Sequence, residues 1–460
     1  MAATVICLAG APSAGAAVQP YGTNDAGGFR NVLPAGEAGL DDATQLAEFQ
    51  LNGTYPPHFT DQLPLYANLL YASPTLTREQ IPSYYKDATF GVKEGDLASS
   101  ESPRTDVTIE RDSAFGVPHI YGTTRAGMMF GAGYAAAADR LFFIDVLRHT
   151  ARAELSSFIG GAEGNRAMDR TQWLIAPYTE ADLEAQIDNA PKLYGAEAEK
   201  FIADAKEFVA GINQYIAEAL INPNKMPAEY AAIGKSPTFW KPTDLIAEAS
   251  LIGGIFGKGG GAEVRSALAA EAFEKQFGKK AGKAMWEDFR EHNDPEAPNT
   301  ISKAFPYETN SPFSPTGLAM PDPGSVSFIK DGEPLEASAS SQSASTASAQ
   351  TTDTPAPQAI PNDGSFGSQL LREALAGLPH ASNWELVNAS HSTDGHSLAV
   401  MGPQVGYYVP EVLMEEDLHA PEVDARGAAF PGVNLYVELG HGRDYAWSAT
   451  SAGSDNIDTF

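Results

Sequence analysis

The sequence predicts an α+β chain, on three observations. Two strand-like runs, Val107-Thr108-Ile109-Glu110 and Pro118-His119-Ile120-Tyr121, lie close together around a turn at Gly116. Long stretches with apolar residues at three- and four-residue spacing follow them. A β-hairpin pattern comes much later, between Trp384 and Met401.

Composition sets the outer bounds. The 460 residues are 43% apolar and 19% charged, ordinary for a globular chain long enough for two or more core-forming units. A formal net charge of −29 argues against nucleic acid or an anionic membrane surface as partner. The single cysteine, Cys7, rules out an intramolecular disulfide. No apolar run approaches the roughly eighteen residues of a membrane span. Residues 1–17 read as the back half of a secretory signal: Val5-Ile6-Cys7-Leu8-Ala9 is apolar and Ser13 to Ala17 are small, although a basic start is missing. Its removal would leave a cysteine-free, periplasmic or secreted protein.

Residues 18–104 are rich in Gly, Pro, Tyr and Asn and carry no assignable chemistry; they read as an extension wrapping the main body, with one short helix from Asp41 to Phe49. From Thr105 the texture changes to the strand pair, then to an amphipathic helix through Leu141, Ile144, Leu147, Ala151, Leu155 and Phe158, ending at Gly160-Gly161. His119 reads as a buried, hydrogen-bonded histidine and Asp139-Arg140 as a structural ion pair. A second helix runs from Glu197 to Leu220 and stops before Pro223; a third is introduced by Phe239-Trp240-Lys241-Pro242 and runs to about Phe256. The glycines around Gly257-Lys258 are not a phosphate loop, because no Ser or Thr follows the lysine. Residues 334–363 are Ser, Ala, Gln, Thr and Pro without periodicity, too poor in apolar surface to offset their ordering entropy. With the short helix expected at Ser368–Leu378, they make residues 334–381 a disordered spacer, and 105–333 and 382–460 the two regions on either side.

The hairpin follows at once. Trp384, Leu386 and Asn388 fall on one face, Glu385, Val387 and Ala389 on the other. Leu398-Ala399-Val400-Met401 returns across Asp394-Gly395, and Gly402-Pro403-Gln404 ends the second strand. Further strands are expected at Phe430–Val437 and Tyr445–Thr450, with Gly440-His441-Gly442 turning between them. Ser382 thus stands at the mouth of a hairpin, just after a disposable segment. Cutting the Ala381–Ser382 bond would give Ser382 a free α-amine, whose ordinary pKa of about 7.7–8.0 lets it accept the proton of its own hydroxyl near neutral pH.

Residue by residue, the chain resembles the penicillin acylase (penicillin amidase) family of N-terminal nucleophile hydrolases. Arg111-Asp112-x-x-x-Gly-Val-Pro-His119-Ile120, then Gly131-x-Gly-Tyr134 and Ala137-x-Asp139-Arg140-Leu141, look like the opening of the family's first chain. Ser382-Asn383, with Gly402-Pro403-Gln404 downstream at ungapped spacing, looks like the start of the second. One departure is that Trp384 directly follows Asn383, where many members have one residue between; aligning on the tryptophan would place Ala381 at the nucleophile, and the ungapped register keeps Ser382.

The resemblance implies a four-layer αββα sandwich with a helical first-chain domain. It implies an exported amidohydrolase made as a precursor, cleaved between Ala381 and Ser382, its two chains remaining together as a heterodimer. The substrate would be a penicillin-like or other N-acyl amide, lined by Phe256, Gln404 and Val405. Gln404 leans toward aromatic or short acyl groups, while Val405 stands where penicillin-G-type members carry an aromatic. Ser451 would offer a backbone N–H to the oxyanion, and Glu263, Asp455, Asp458 and the Ile457 carbonyl would hold one structural Ca²⁺, with hard oxygen ligands of the kind that ion takes. Without the resemblance, Phe256 is equally a core side chain, Glu263 a helix-opening acid, and 455–458 a solvated acidic turn.

Other chemistries fit less well. Ser382 with His441 and Asp444 lacks the Gly-x-Ser-x-Gly elbow of a Ser–His–Asp hydrolase. Ser327-x-x-Lys330 with Ser454-Asp455-Asn456 echoes serine β-lactamases, but no Lys-Thr-Gly follows. A non-maturing binding protein on an acylase scaffold is the alternative from another class. Too few residues follow Ser382 for the full sandwich, so the expectation is a C-terminally truncated member, inactive as it stands.

Overall fold

The computed structural model describes residues 43–54, 57–58, 65, 69, 72–256, 263–289, 363–368, 381–404 and 412–449. They form an α+β structure, as the sequence predicts. Residues 1–256 with 360–451 make one compact unit, and residues 257–359 with 452–460 another.

In the first unit the helices are α1 (Ala43–Asn52), α2 (Arg125–Ala151), α3 (Leu155–Ile159), α4 (Glu163–Ile175), α5 (Glu180–Tyr194), α6 (Ala196–Ala219), α7 (Ala228–Ile233) and α8 (Pro242–Phe256). The strands are β1 (Leu97–Arg104), β2 (Val107–Asp112), β3 (Pro118–Gly122), β4 (Ala381–Val387), β5 (Leu398–Gln404), β6 (Met414–Ala420), β7 (Val423–Ala429), β8 (Leu439–His441) and β9 (Ala446–Trp447). In the second unit the described residues form α9 (Glu263–Phe277) and α10 (Lys279–Phe289), pinned by a hydrogen bond from the Trp286 indole to the Ser266 carbonyl.

Seven strands form one sheet in the order β1-β2-β3-β6-β7-β8-β9, while β4 and β5 pair separately as a hairpin. Every neighbour pair in the sheet is antiparallel except β3 with β6, which run parallel with His119 opposite Asp417 and Tyr121 opposite His419. Strand alternation then sorts the side chains. Ile109, Ile120 and Leu418 join the core built around α2, whereas His119, Asp417 and His419 take the opposite face. Among the described residues the β4–β5 hairpin is the one pairing outside this sheet, and a second, facing sheet is not described.

α2 is the backbone of the core: it packs on the sheet and on α6. A Cβ on Gly133 would sit 1.9 Å from the Phe208 carbonyl oxygen, and one on Gly211 would sit 2.0 Å from that of Phe130. Only glycine lets these two helices touch backbone to backbone. Gly131-Ala132-Gly133, ahead of the helix that the sequence predicts from Leu141, is therefore helix interior. The expected single helix from Leu141 to Phe158 is instead the second half of α2, an interruption at Arg152–Glu154 where Ala153 takes φ +56°, and the short α3. α6 and α8 run as the sequence predicts. Asn213 clamps the entrance of α8, accepting from the Trp240 amide at 2.7 Å and donating to the Trp240 carbonyl at 2.9 Å.

Three expectations change after the hairpin. Phe430–Val437 is a chain of turns, because Pro431 supplies no N–H and Gly432 takes φ +80°; its Leu435 and Val437 nonetheless plug the core. Gly440-His441, expected to turn with Gly442, belong to β8, and among the described residues of the Tyr445–Thr450 strand only Ala446–Trp447 are β9, Thr450 lying outside them.

Candidate active site

Ser382 is the second residue of β4, opposite Pro403, and its side chain is exposed. Ala381 pairs with Gln404 across the same hairpin. Gly402-Pro403-Gln404 are the last residues of β5, as the sequence predicts, and the pairing sets the Gln404 backbone opposite Ala381. Asp394-Gly395 lies in the connection, which is longer than a two-residue turn and holds Gly395 at φ +75°. The strand keeps much of its apolar surface in the open: Leu386 is 65% and Val400 68% exposed. With the Ala381–Ser382 bond intact the Ser382 nitrogen is an amide and cannot act as a base.

The other residues expected at the site divide by where they lie. Phe256 ends α8 and Glu263 opens α9, in different units, and the side chains of both, like that of Gln404, lie outside the described residues. Val405, Ser451, Asp455, Ile457 and Asp458 lie wholly outside them, as do residues 1–17, most of the spacer, and Ser327 and Lys330. Of the Ser368–Leu378 helix only its first residue is described, at the end of a helical turn over 366–368. No group of three or more His, Cys, Asp or Glu arranged to hold a metal occurs among the described residues. His441, weighed as a triad base, faces the Ala88 carbonyl with Nε2 at 2.7 Å and the Gly442 carbonyl with Nδ1 at 2.9 Å. It is engaged elsewhere than with Ser382.

The polar centre that the structure does assemble lies at the β3–β6 joint. His119 is 1% exposed, with Nδ1 2.7 Å from Asp417 Oδ2 and Nε2 3.2 Å from Asp112 Oδ2. Asp417 reaches His419 Nε2 with its other oxygen at 3.0 Å, and His419 Nδ1 meets Asp424 Oδ1 at 2.7 Å. Five side chains therefore form one file, Asp112–His119–Asp417–His419–Asp424, ending at Arg443 near the surface. Burial pulls the His119 imidazole down, but Asp112 and Asp417 outweigh it and hold the ring above the usual histidine range. Burial pushes Asp417 up, yet the two histidines and the Gly91 amide keep it well below the usual carboxylate range. On the helix-facing side of the same strand, burial and the neighbouring Asp417 charge push Glu416 up to about 8.

His119 was legible as a buried histidine; its partners were not. Asp139 is buried and in a structural ion pair, with Arg111 gripping it by two bonds at 2.6 and 3.1 Å. Arg140 instead donates to the Asp139 backbone carbonyl at the kink of α2, where its φ is −142°. In the helical layer a cavity of about 360 Å³ is lined by residues that include Trp173, Tyr178, Glu180, Lys241 and Ser250. Ser382 is not among them.

Comparison with known proteins gives these arrangements a setting. The family model described as penicillin amidase matches residues 106–460. Penicillin G acylase of Escherichia coli is 25% identical over 375 residues, covering 79% of this chain and 41% of that protein. Penicillin acylase 2 proenzyme of Pseudomonas sp. (strain SE83) is 29% identical over 155 residues, covering 33% and 17%. Acyl-homoserine lactone acylase QuiP of Pseudomonas syringae pv. tomato is 23% identical over 355 residues, covering 77% and 35%. The chain thus spans about two fifths or less of the length of these relatives.

Proposed function

Since the chain belongs to the penicillin amidase family, we propose that it supplies the nucleophile of an exported amidohydrolase, and that this nucleophile is Ser382. The observation that carries the reading is that Ser382 lies inside the matched region at the start of an exposed strand. There the preceding bond is open to attack, and the new terminus stays anchored by its hairpin partner. The names of the relatives, acylases of penicillin and of acyl-homoserine lactones and one called a proenzyme, support an N-acyl amide as substrate and a processing step.

The chemistry follows from the freed terminus. The Ser382 α-amine takes the hydroxyl proton as Oγ attacks the amide carbonyl. The tetrahedral oxyanion is met by backbone N–H donors, Ser451 among them; one such donor is worth roughly 10²–10³ in rate. The amine then passes the proton to the leaving nitrogen, and water resolves the acyl ester. Phe256, Gln404 and Val405 line the acyl group. A structural Ca²⁺, held by Glu263, Asp455, Asp458 and the Ile457 carbonyl, would supply charge neutralisation and no step of the reaction.

The test is intact-mass and N-terminal analysis of the mature full-length protein. The expected result is two polypeptides, the second beginning at Ser382, and one uncut polypeptide for Ser382→Ala. A second polypeptide beginning elsewhere refutes the assignment. An uncut wild-type chain that still binds N-acyl compounds would mark it as a binding protein on this scaffold.

A further inference from the structure

We propose that β6, β7 and β8 form an internal peptide groove and that residues 86–91 are its ligand, a strap from ahead of the matched family region that grips the part of the chain following Ser382. The strap has no regular secondary structure from Lys86 to Thr89, and its own apolar burial is small: Asp87, Ala88 and Thr89 are exposed. What holds it is recognition of its backbone by side chains from the sheet. The Ala88 carbonyl faces His441 Nε2 at 2.7 Å, the Thr89 carbonyl accepts from the Arg426 guanidinium, and the Gly91 amide donates to Asp417 Oδ2 at 2.7 Å. Lys86 pairs with Glu415, which also takes two bonds from Arg426 at 3.1 Å.

One side chain of the strap enters the groove. The Phe90 ring stands edge-on to His419 with centroids 5.6 Å apart and tilts against His441 at 4.9 Å, and the Arg443 guanidinium lies 5.6 Å from its centre. Gly91 follows at φ +80°, where an added Cβ would lie 3.2 Å from Tyr121 Oη. An irregular segment held through its backbone, with Lys, an aromatic and a glycine at fixed positions, is recognised as a bound peptide is: polar, specific, and shallow enough to open locally.

The groove also carries its own sensor. His419 is faced by Asp417 from β6, Asp424 from β7, the stacked Tyr121 ring from β3 at 4.8 Å, and Phe90 from the strap; Arg443 and His119 act on it through Asp424 and Asp417. Its Nδ1 is hydrogen-bonded to Asp424, and its Nε2 lies 3.0 Å from Asp417 Oδ1 as an ion-pair contact without hydrogen-bond alignment, so a carboxylate stands beside each ring nitrogen. Burial opposes the charge, but Asp417 and Asp424 hold the ring above the usual histidine range. A group raised in this way stabilises at low pH and loses its contribution as pH rises through its folded-state value. The strap is therefore tight when His419 is charged and loosens in alkaline solution, when one ring nitrogen turns a lone pair toward a carboxylate. The role in joining two pieces rests on the proposed cleavage; the groove itself does not.

The experiment measures hydrogen exchange of a peptide spanning residues 86–91 at pH 6 and pH 9, corrected for intrinsic rates, in the uncut Ser382→Ala chain. Protection is expected to fall at least about tenfold across that range. His419→Gln should reduce the pH dependence, leaving the part that Glu416 and His119 contribute through the sheet, and Phe90→Ala should lower protection about tenfold at pH 6, as loss of its ring contacts requires. A labelled synthetic peptide of residues 84–93 should bind the Phe90→Ala chain, whose strap is loosened, measurably more tightly than the chain with the strap seated. Exchange at intrinsic rates in the parent chain, protection indifferent to pH and to His419→Gln, or no peptide binding to Phe90→Ala would each overturn the proposal. Protection in the uncut chain combined with a wild-type chain that never cleaves would leave the groove standing and the cleavage reading refuted.

Discussion

Replacing Glu416 with glutamine should make the protein more stable at pH 8 while leaving it nearly unchanged at pH 5. Glu416 is 3% exposed on β6, on the same face as Met414 and Leu418, and lies opposite Gly427. Burial and the adjacent Asp417 charge move its carboxyl from 4.5 to about 8. Between those two values the unfolded chain has released a proton that the native chain retains, so unfolding becomes easier as pH rises. The slope is about 1.4 kcal/mol per pH unit, and the window is 3.5 units wide (8 − 4.5), for a ceiling of about 5 kcal/mol. Glutamine keeps the shape and does not ionise, so the whole difference should disappear. Urea unfolding at half-unit steps from pH 5 to pH 8.5 measures it. His119 and His419 titrate in both proteins and cancel in the difference. An expected gain of about 2–5 kcal/mol at pH 8 supports the argument. Parallel curves for the two proteins would refute it, since they would mean that Glu416 is already ionised in the fold.

Three further outcomes follow from the packing. Gly133→Ala forces a methyl onto the Phe208 carbonyl, 1.9 Å away, and should cost about 3 kcal/mol or more in chemical unfolding, with Gly211→Ala similar. His119→Ala leaves Asp112 and Asp417 as buried carboxylates with their shared cation gone; a loss of about 3–5 kcal/mol at pH 6 is expected. That loss should shrink as pH rises through the raised histidine value, because the wild-type ring is then neutral too. Tyr436→Phe removes the hydroxyl that donates to Asp204, a carboxylate also held by Arg125 at 2.7–3.0 Å, and should lower stability by about 1.5–3 kcal/mol.

The parts of the fold legible in the sequence are those in which one face is apolar and the other is wet. β2, β3, α6 and α8 satisfy that condition, and their periods were plain. β6 does not: Met414-Glu415-Glu416-Asp417-Leu418-His419 buries acids on both faces, one set against α2 and the other in the histidine file, so no alternation marks it as a strand. The first half of α2 failed for the opposite reason. Its glycines and alanines look like a turn until the carbonyls of α6 arrive to explain them. Phe430–Val437 has a strand's composition, but Pro431 and Gly432 spend its first turn. At the site, the hairpin around Ser382 was readable because its signals are local. The partners of His119 were not, since Asp417 lies 298 residues away and nothing near either residue announces the other.

The parallel joint between β3 and β6 dictates an order of events. During synthesis β3 is a bare sheet margin until some three hundred later residues have emerged, and pairing over such a separation closes slowly. While the backbone is whole, the late strand arrives as a tethered neighbour at high effective concentration. Were it severed first, the same closure would become an encounter between two diffusing molecules. If the chain is cut as proposed, assembly must therefore precede scission, and a sheet that stalls would leave its precursor better off uncut.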